Sequence, residues 1–301
     1  MKKIIRTPKN RFENLEDYDF QSNYITIEDG LRLHYLDEGN KNNPTVLLLH
    51  GEPSWSYLYR KMIPVLSNNF RVIAPDLIGF GKSDKLVNQQ DYSYQKHIDW
   101  ISIFIENLNL KNIILFCQDW GGLIGLRIIT EMENRFSMVI ASNTTLPTGN
   151  MPLTESFEKW RAYSQHSQNF NIGKVIDMGT VKPLSKAVLD AYNAPFPSEE
   201  YKAGARIFPS LVPFEHDNPE SIKNIEAWEK LKLWNKPFLT IFGDKDDIMF
   251  GAEKMLQKLI PGTKGQRHSM LNAGHFIQEE KGEELAESII EFYKKNTTAN
   301  N

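Results

Sequence analysis

The stretch FCQDWGG, residues 116–122, decides how the surrounding chain folds. It completes NIILFCQ (112–118), an apolar run of the kind that forms a buried strand, and it opens GGLIGLRIITEMEN (121–134), which has a helical pattern. The paired glycines permit a tight turn and close packing of the helix. The stretch therefore predicts a strand, a sharp turn with Asp119 at its tip, and a helix whose first N–H groups lie beside that carboxylate. Taken alone, Asp119 could equally be a helix N-cap.

Short apolar runs like the one before Asp119 recur along the chain, and continuous Val/Ile/Leu runs suit strands buried on both faces of a parallel sheet. Helical patterns such as YQKHIDWISIFIENLN (94–109) lie between them. Strand alternating with helix predicts an α/β fold, with a mostly parallel central sheet flanked by helices. The segment YITIEDGLRLHYLDEG (24–39) predicts a hairpin that turns at Asp29-Gly30 and adds antiparallel edge strands. The other predicted strands are TVLLLH (45–50), FRVIAPD (70–76), MVIASN (138–143), PFLTIFG (237–243) and HSMLNAG (268–274).

Residues 147–219 interrupt this alternation. They combine helical pieces, prolines and many aromatic residues without a convincing strand, and the alternation resumes at the helix ESIKNIEAWEKLKLW (220–234). We therefore predict a core domain of residues 1–146 and 220–301, and an inserted helical cap domain of residues 147–219. A cap above the carboxyl ends of the strands would roof the crevice where open α/β sheets bind ligands.

The composition is that of an ordinary soluble globular protein, with 41% hydrophobic and 24% charged residues among 301. A net charge of −3 and the lack of a long basic run argue against a nucleic-acid partner. Cys117 is the only cysteine, so an intrachain disulfide is excluded. No apolar run is long enough to span a membrane, and MKKIIRTPKNRFENL (1–15) has no apolar run after its basic residues. We expect a cytoplasmic monomer without a membrane partner.

A histidine and a cluster of aspartates follow the later predicted strands. His275 lies in NAGHFIQEE, and the aspartates lie in DKDD, directly after the strand PFLTIFG. Asp119, an aspartate of DKDD and His275 come in the chain order nucleophile, acid, histidine, which is the order of the catalytic triad in the α/β-hydrolases. Spacing alone does not choose among Asp244, Asp246 and Asp247.

The turn at Asp119 resembles the nucleophile elbow of the α/β-hydrolases, whose pattern is G-x-S-x-G. Here Asp119 replaces the serine, and Cys117 replaces the first glycine. The loop HGEPSW (50–55) resembles the one that supplies a backbone N–H of the oxyanion hole, and the residue after the nucleophile supplies the other. The resemblance implies an α/β-hydrolase fold and assigns these N–H groups to Glu52 and Trp120. For the Glu52 side chain, we expect a surface or loop-bracing carboxylate rather than a catalytic one.

A carboxylate at the elbow favours alkyl transfer. Asp119 is ionised at neutral pH, so it can attack a saturated carbon in line, expel the leaving group and form an alkyl ester. His275 can then deprotonate a water that attacks the ester carbonyl, while the two backbone N–H groups hold the oxyanion. The product is an alcohol, and the aspartate is regenerated.

The leaving group separates two kinds of enzyme. An epoxide oxygen needs an acid, usually a tyrosine of the cap, whereas a halide needs donors inside an apolar pocket. Tryptophan offers one N–H and no acceptor that would repel an anion. Trp120 directly follows Asp119 and Trp160 lies in the cap, so the two indoles could bind a halide, although large aromatic side chains are more often core residues.

Long segments of the chain carry a more specific resemblance. The segments are LLLHGEPSWSYLYRKMIPVL (47–66), RVIAPDLIGFGKSDK (71–85), FCQDWGGLIGLR (116–127), AYNAPFPSEEYKAGARIFPSLVP (191–213) and NAGHFIQEE (272–280). They resemble the haloalkane dehalogenases, most closely the subfamily whose catalytic acid follows the later strand.

This resemblance implies hydrolytic dehalogenation of haloalkanes to an alcohol and a halide through an alkyl-aspartate ester. It implies Asp119 as nucleophile, Asp246 as acid, His275 as base, and Trp120 with Trp160 as halide donors. A halogenated alkane, water and the halide are then the only partners, and we expect no cofactor and no metal. The substrate pocket maps to Phe157, Phe208, Pro209, Val212, Ile248 and Met249.

Three other functions compete with this interpretation. An epoxide hydrolase shares the aspartate elbow and would need acids such as Tyr163, Tyr192 or Tyr201 of the cap. A fluoroacetate dehalogenase needs an arginine pair beside the nucleophile, and only Arg127 follows Asp119 closely. A non-catalytic relative acting as a binding module would tend to lose a member of the triad, whereas here every member is present.

Overall fold

A computed structural model describes residues 2–150 and 154–298 of the chain. Within these residues, the strands form one eight-stranded sheet and one two-stranded ribbon. The strands are β1 (Ile4–Ile5), β2 (Asn23–Thr26), β3 (Arg32–Glu38), β4 (Thr45–Leu49), β5 (Arg71–Pro75), β6 (Lys85–Leu86), β7 (Ile113–Gln118), β8 (Phe136–Ser142), β9 (Phe238–Gly243) and β10 (Ser269–Leu271).

The strand order in the large sheet is β10-β9-β8-β7-β4-β5-β3-β2, and β1 pairs with β6 apart from it. All pairs from β10 to β5 are parallel, whereas β3 pairs antiparallel with both β5 and β2. The hairpin of β2 and β3 turns through a short 3₁₀ segment at Glu28–Gly30, where Gly30 has a φ of 72°. The prediction of a mostly parallel sheet with an antiparallel hairpin at one edge is therefore confirmed.

The parallel strands form the centre of the core. Every residue of β4, β7 and β9 is buried, as their continuous apolar runs predict for strands covered on both faces. Each fully buried leucine or isoleucine contributes about 1.5–3 kcal/mol. The helices that pack around the sheet and beyond its ends are α1 (Ile63–Leu66), α2 (Tyr94–Asn107), α3 (Trp120–Glu131), α4 (Glu155–His166), α5 (Ile172–Met178), α6 (Lys186–Asn193), α7 (Ala203–Leu211), α8 (Pro219–Leu231), α9 (Ala252–Leu259) and α10 (Ile277–Thr298). Across the described ranges, no helix is both long and apolar enough to cross a membrane.

Two glycines allow α3 to lie close against the sheet. A Cβ atom on Gly121 would lie 2.0 Å from the carbonyl oxygen of Leu49, at the end of β4. A Cβ atom on Gly122 would lie 2.0 Å from Oγ1 of Thr144, just beyond β8. Any side chain at these two positions would push the helix outward, so the glycine pair determines how deeply the turn before α3 sits among the strand ends.

The chain leaves the sheet between β8 and α8. In its described part this stretch contains α4, α5, α6 and α7 and no strand, while residues 151–153, like residues 299–301 of the polar tail, lie outside the described residues. Two side chains of α8 bond the segment just after β8. Asn224 Nδ2 donates to the Pro147 carbonyl at 2.7 Å, and Trp228 Nε1 donates to the Leu146 carbonyl at 2.9 Å. The stretch therefore leaves and rejoins the sheet layer at neighbouring points.

Candidate active site

Asp119 occupies the turn between β7 and α3, with φ 51° and ψ −126°. A non-glycine residue in such a conformation costs about 1–3 kcal/mol, so it persists only where its surroundings hold it. Here the Asp119 N–H donates to the Asn143 carbonyl at 3.1 Å, and Thr144 Oγ1 donates to the Asp119 carbonyl at 2.8 Å. The side chain makes no capping hydrogen bond to α3 and faces a large cavity. Asp119 is thus presented to the cavity and does not cap the helix.

The loop after β4 reaches this carboxylate. The N–H of Glu52 donates to Oδ1 of Asp119 at 2.7 Å. The loop can come this close because Gly51 has no side chain: a Cβ atom there would lie 2.4 Å from Oδ1 of Asp119. The N–H of Trp120 is the first of α3, a position that has no acceptor within the helix. Both N–H groups assigned to an oxyanion hole therefore adjoin Asp119.

His275 lies between two carboxylates. Its Nδ1 is 2.8 Å from Oδ2 of Asp246, a good hydrogen bond, and its Nε2 is 3.5 Å from Oδ2 of Asp119, a looser ion-pair distance. Asp246 is the aspartate of the DKDD loop that touches His275. Asp244 is partly exposed and lies beside Lys245, and Asp247 is exposed at the edge of the cavity.

Asp246 is held by groups from two strand ends. Asn143 Nδ2 donates to its Oδ2 at 2.7 Å, and the N–H groups of Ile248 and Met249 donate to its Oδ1 at 2.9 and 3.2 Å. Burial opposes ionisation, but the charge of His275 and these hydrogen bonds outweigh it and hold the pKa of Asp246 below its ordinary value. The contact of Asn143 with Asp246 was not predicted; its signal in the sequence is an amide at the end of the strand MVIASN, and in the structure Asn143 has a φ of 40°.

The two neighbouring carboxylates also keep His275 charged. Burial disfavours the imidazolium, but the charge of Asp246 and the contacts with Asp119 and Asp246 raise the pKa of His275 to about 10. In the free site the histidine is therefore protonated at neutral pH. Asp119 is then a carboxylate flanked by a cation on one side and by the Glu52 N–H on the other.

Gln118 is a further residue that sequence reasoning did not identify. Its Nε2 lies 3.1 Å from His275 Nε2 and donates to the His275 carbonyl at 3.2 Å. It is fully buried at the last position of β7, directly before Asp119. A glutamine among the apolar residues of a buried strand is the signal that could have identified it, because a buried amide requires hydrogen-bond partners.

The Glu52 side chain lies in the site and not on the surface. It is 4% exposed, it lines the cavity, and its Oε1 has no hydrogen-bond partner within residues 2–150 and 154–298. Burial and the charge of Asp119 raise the pKa of Glu52 well above its ordinary value. The Oε1 atom of Glu52 can hydrogen-bond a water molecule beside Asp119. The surface position considered from the sequence is therefore wrong.

The cavity has a volume of about 910 Å³, and most of its lining is apolar, although Asp119, His275, Glu52 and several lysines also face it. Both Trp120 and Trp160 line it, and neither indole N–H has an acceptor within the described ranges. The Trp120 ring is packed edge-on against Tyr94, at 5.1 Å between ring centroids. The predicted pocket residues that line the cavity are Phe157, Pro209, Val212, Ile248 and Met249.

Phe208 is the exception among the predicted pocket residues. It is fully buried and does not line the cavity. Its ring packs behind Trp120, at 4.6 Å between centroids, and against Phe80 and His97 at 4.8 and 4.4 Å. The helix α7 turns this side chain toward the core, so Phe208 supports the Trp120 ring and does not form part of the pocket wall.

The tyrosines and the arginine that the competing functions would require make other contacts or lie away from the cavity. Tyr163 lines the cavity, but its hydroxyl donates to the Asn169 carbonyl at 3.2 Å. Tyr192 is buried with its hydroxyl bonded to Glu279, and Tyr201 does not line the cavity. Arg127 is buried away from the cavity, where it bonds Glu220 and Asn224. These contacts leave no cap tyrosine in the described residues as a free acid beside Asp119, and no arginine to hold a carboxylate substrate.

The fold and the arrangement of these residues define a class, an α/β-hydrolase with aspartate in the nucleophile position. A family model described as the alpha/beta hydrolase fold matches residues 44–282.

Comparison with known proteins narrows that class. A haloalkane dehalogenase of Psychrobacter cryohalolentis is 54% identical over 300 residues, which cover 98% of this chain and 99% of that protein. One of Mycolicibacterium paratuberculosis is 50% identical, covering 95% and 97%. Among solved structures, the tetrameric haloalkane dehalogenase DpaA from Paraglaciecola agarilytica has a TM-score of 0.88 at 38% identity, covering 95% of this chain and 97% of that one. The chain therefore belongs to the haloalkane dehalogenases, hydrolases that act on carbon–halide bonds.

Proposed function

We propose that this dehalogenase acts through a covalent alkyl ester of Asp119, that His275 is the base for hydrolysis of the ester, and that Asp246 is the acid that holds His275. The observation that carries the proposal is the position of the Asp119 carboxylate. Its Oδ1 accepts the Glu52 N–H, its Oδ2 faces His275 Nε2 at 3.5 Å, and the side chain lines an apolar cavity.

In the first step, an oxygen of Asp119 attacks the carbon that bears the halogen. The new C–O bond forms as the carbon–halogen bond breaks, and the bonding electron pair leaves with the halide. Trp120 and Trp160 are the proposed halide donors, because their N–H groups have no acceptor within the described residues and their rings line the cavity. An N–H donor without an acceptor atom can bind an anion inside an apolar pocket.

In the second step, His275 must be neutral to accept a proton from water. Alkylation converts Asp119 into an uncharged ester, which removes one of the charges that hold the pKa of His275 at about 10. The pKa therefore falls, which favours release of the His275 proton to water in the cavity while Nδ1 stays bonded to Asp246. The reaction thus produces its own base at the stage that needs it.

Water then adds to the ester carbonyl as His275 takes its proton. The N–H groups of Glu52 and Trp120 adjoin the carboxylate and would hold the resulting oxyanion, an interaction worth about 3–4 kcal/mol per donor in comparable sites. Collapse of this intermediate breaks the bond between the carbonyl carbon and the alkoxy oxygen, which takes the proton from His275 and leaves as the alcohol; the carboxyl proton of Asp119 then passes to His275 and regenerates the carboxylate. The Glu52 carboxyl lines the same cavity with an oxygen that has no partner among the described residues, and we propose that it hydrogen-bonds the attacking water.

We also propose that residues 147–219 form a cap domain on a core of residues 1–146 and 220–301. Phe157, Trp160 and Pro209 of this stretch line the same cavity as Asp119 and His275, which supports the proposed division. The volume of about 910 Å³ is large enough for haloalkanes well beyond two carbons.

A cytoplasmic monomer is the proposed state of the protein. The relative DpaA is tetrameric, so sedimentation velocity is the measurement that tests the monomer for this chain. A species of four times the 34.8 kDa chain mass would contradict the monomer and indicate a tetramer, as in DpaA.

The test of the mechanism is bromide and proton release from 1-bromobutane and 1,2-dibromoethane, run beside styrene oxide. We expect bromide release that disappears in Asp119→Ala, and no diol from the epoxide. Diol formation without bromide would transfer the protein to the epoxide hydrolases. Bromide release that persists in Asp119→Ala would remove Asp119 from the nucleophile position.

A further inference from the structure

The turn that follows His275 is structurally separate from the long helix it begins. It covers residues 277–280, the first four of α10, and it is divided from the rest by Lys281, whose φ of −134° and ψ of 27° are not helical. The turn carries two carboxylates, Glu279 and Glu280. Since Glu279 and Glu280 are adjacent in the turn, their side chains point in different directions, and each forms hydrogen bonds with different residues.

Glu279 fixes the turn to the core. It forms a buried ion pair with Arg60, whose Nη2 donates to Oε2 at 2.9 Å, and it accepts a hydrogen bond from Tyr192. Lys61 Nζ also reaches Oε2 at 3.2 Å. The turn therefore keeps a strong attachment that does not depend on Glu280.

Each carboxylate oxygen of Glu280 accepts hydrogen bonds from a different segment of the chain. Its Oε2 accepts the N–H of Gly274, the residue before His275, at 2.7 Å. Its Oε1 accepts the N–H groups of Val181 and Lys182 at 3.0 and 3.3 Å. One carboxylate thus joins the loop of residues 273–276, here called the histidine loop, to residues 179–182 after α5, here called the mouth segment.

These two segments are also packed closely. The Phe276 N–H donates to the Gly179 carbonyl at 3.2 Å. A Cβ atom on Gly274 would lie 2.4 Å from the Gly179 carbonyl oxygen, and one on Gly179 would lie 2.7 Å from the Phe276 ring. Gly179, Thr180 and Val181 line the cavity, and Val181 is 49% exposed, so the mouth segment lies where the cavity meets solvent.

We propose that Glu280 is a positioning residue for hydrolysis of the alkyl ester, holding His275 at its working distance by clamping the histidine loop to the mouth segment. The proposal rests on the ester mechanism proposed for Asp119 and His275. Hydrogen bonds from N–H groups to a carboxylate are strong and directional, so losing one frees the loop at the residue next to His275. A shift of about 1 Å in a catalytic group can slow a step by about a hundredfold.

The effect should be confined to one half of the reaction. Alkylation uses Asp119, the Glu52 N–H and the two indoles, and no described contact links Glu280 to any of them. Hydrolysis uses His275 as a base, and this is the residue that the clamp positions. A general role in folding would instead slow both steps together.

The experiment compares Glu280→Gln with Glu283→Gln in rapid-quench reactions with 1-bromobutane. The amide keeps the shape of Glu280 but can accept with only one of its two terminal atoms. Glu283 is solvent-exposed on the same helix, so its change to glutamine is a matched loss of charge. We measure the bromide burst, the decay of the Asp119 adduct by mass spectrometry, and kcat with KM.

For Glu280→Gln we expect the burst rate within about twofold of the unsubstituted enzyme and adduct decay about tenfold slower. Since kcat/KM reports alkylation, kcat and KM should fall together and leave their ratio unchanged. Glu283→Gln should behave like the unsubstituted enzyme. Glu280→Asp keeps the charge with a shorter reach, so it should also slow adduct decay.

Three results would overturn the proposal. The first is normal adduct decay in either folded Glu280 variant, and the second is an equal slowing of burst and decay. The third is the same slowing in Glu283→Gln. Bromide release without any adduct on Asp119 in the unsubstituted enzyme would instead contradict the ester mechanism, and it would be seen before any variant is compared.

Discussion

His275 Nδ1 lies 2.8 Å from Asp246 Oδ2, while His275 Nε2 lies 3.5 Å from Asp119 Oδ2 on the other side of the ring. One imidazole thus spans two carboxylates that come from opposite sides of the β8 strand end. The shorter contact is a hydrogen bond that orients the ring, and the longer one is an ion-pair distance that keeps Nε2 close to the Asp119 carboxylate. The two carboxylates raise the pKa of His275 to about 10, so in the proposed mechanism His275 acts as a base after Asp119 has lost its charge.

Replacing His275 should stop the reaction halfway. In His275→Phe the carboxylate of Asp119 and the Glu52 N–H remain, so alkylation proceeds, but no base activates water. We expect one bromide per enzyme and a stable adduct on Asp119, located by peptide mass spectrometry after treatment with 1,2-dibromoethane. The double variant with Asp119→Ala is the control and should carry no adduct. An adduct on any other residue would show that the nucleophile is misassigned.

Asp246 should matter far more than its neighbours in the DKDD loop. Asp246→Ala removes the partner of His275 Nδ1 and leaves Asn143 Nδ2 with only the Gly274 carbonyl as acceptor, at 3.5 Å. We expect turnover to fall by about a hundredfold or more, a loss comparable to that of a general base. Asp244→Ala and Asp247→Ala are the controls, and steady-state bromide release should stay within about twofold. A larger loss of bromide release in either control would assign the role of catalytic acid to that aspartate instead.

Trp160 should contribute to halide affinity. A hydrogen bond to a charged group is worth about 1.5–3 kcal/mol, so Trp160→Phe should weaken bromide binding about tenfold to a hundredfold. The measurement is quenching of tryptophan fluorescence by bromide. Trp234→Phe is the control, since this buried indole does not line the cavity. Equal bromide affinity in both variants would make Trp160 a packing residue only.

Phe208 should affect stability more than substrate range. It is fully buried behind Trp120, so Phe208→Ala should lower the free energy of unfolding by about 3–5 kcal/mol, measured by urea denaturation. Phe157→Ala, which enlarges the cavity lining, should instead change the ranking of bromoalkanes of different chain length. A Phe208→Ala protein of normal stability with an altered substrate ranking would return Phe208 to the pocket wall.

The charge of His275 makes stability depend on pH on the alkaline side. Its pKa is about 10 in the folded protein and 6.5 in its ordinary state, so its contribution is complete below pH 6.5 and is lost as pH rises to about 10. We expect the free energy of unfolding to fall across that window. Asp119→Asn removes one of the charges that raise this pKa, so the fall should still begin near pH 6.5 but should be smaller and end at lower pH. An unchanged pH profile would mean that Asp119 does not stabilise the imidazolium.

Local patterns were sufficient for the fold because the decisive signals extend over only a few residues. The runs TVLLL and IILFCQ are apolar at every position, which suits a strand covered on both faces, and both are wholly buried in the parallel sheet. The glycines after Asp119 indicated a tight turn, and the turn is there. The ribbon of β1 and β6 was not foreseen, because two residues in each strand give no period to detect.

The sequence by itself therefore determined the alternating fold, the elbow at Asp119 and the kinds of side chain that the chemistry needs. Residue spacing did not choose the aspartate, although the family resemblance implied Asp246; the tertiary structure shows that Asp246 contacts His275 and that Asn143, from the end of another strand, bonds the same carboxylate. It also showed that Glu52 lines the cavity and that Phe208 does not. A loop has no periodicity, and the periodicity of a helix indicates which residues are buried but not what they contact. Contacts between residues distant in the chain, such as that of Glu280 with Val181, arise only when packing brings the segments together.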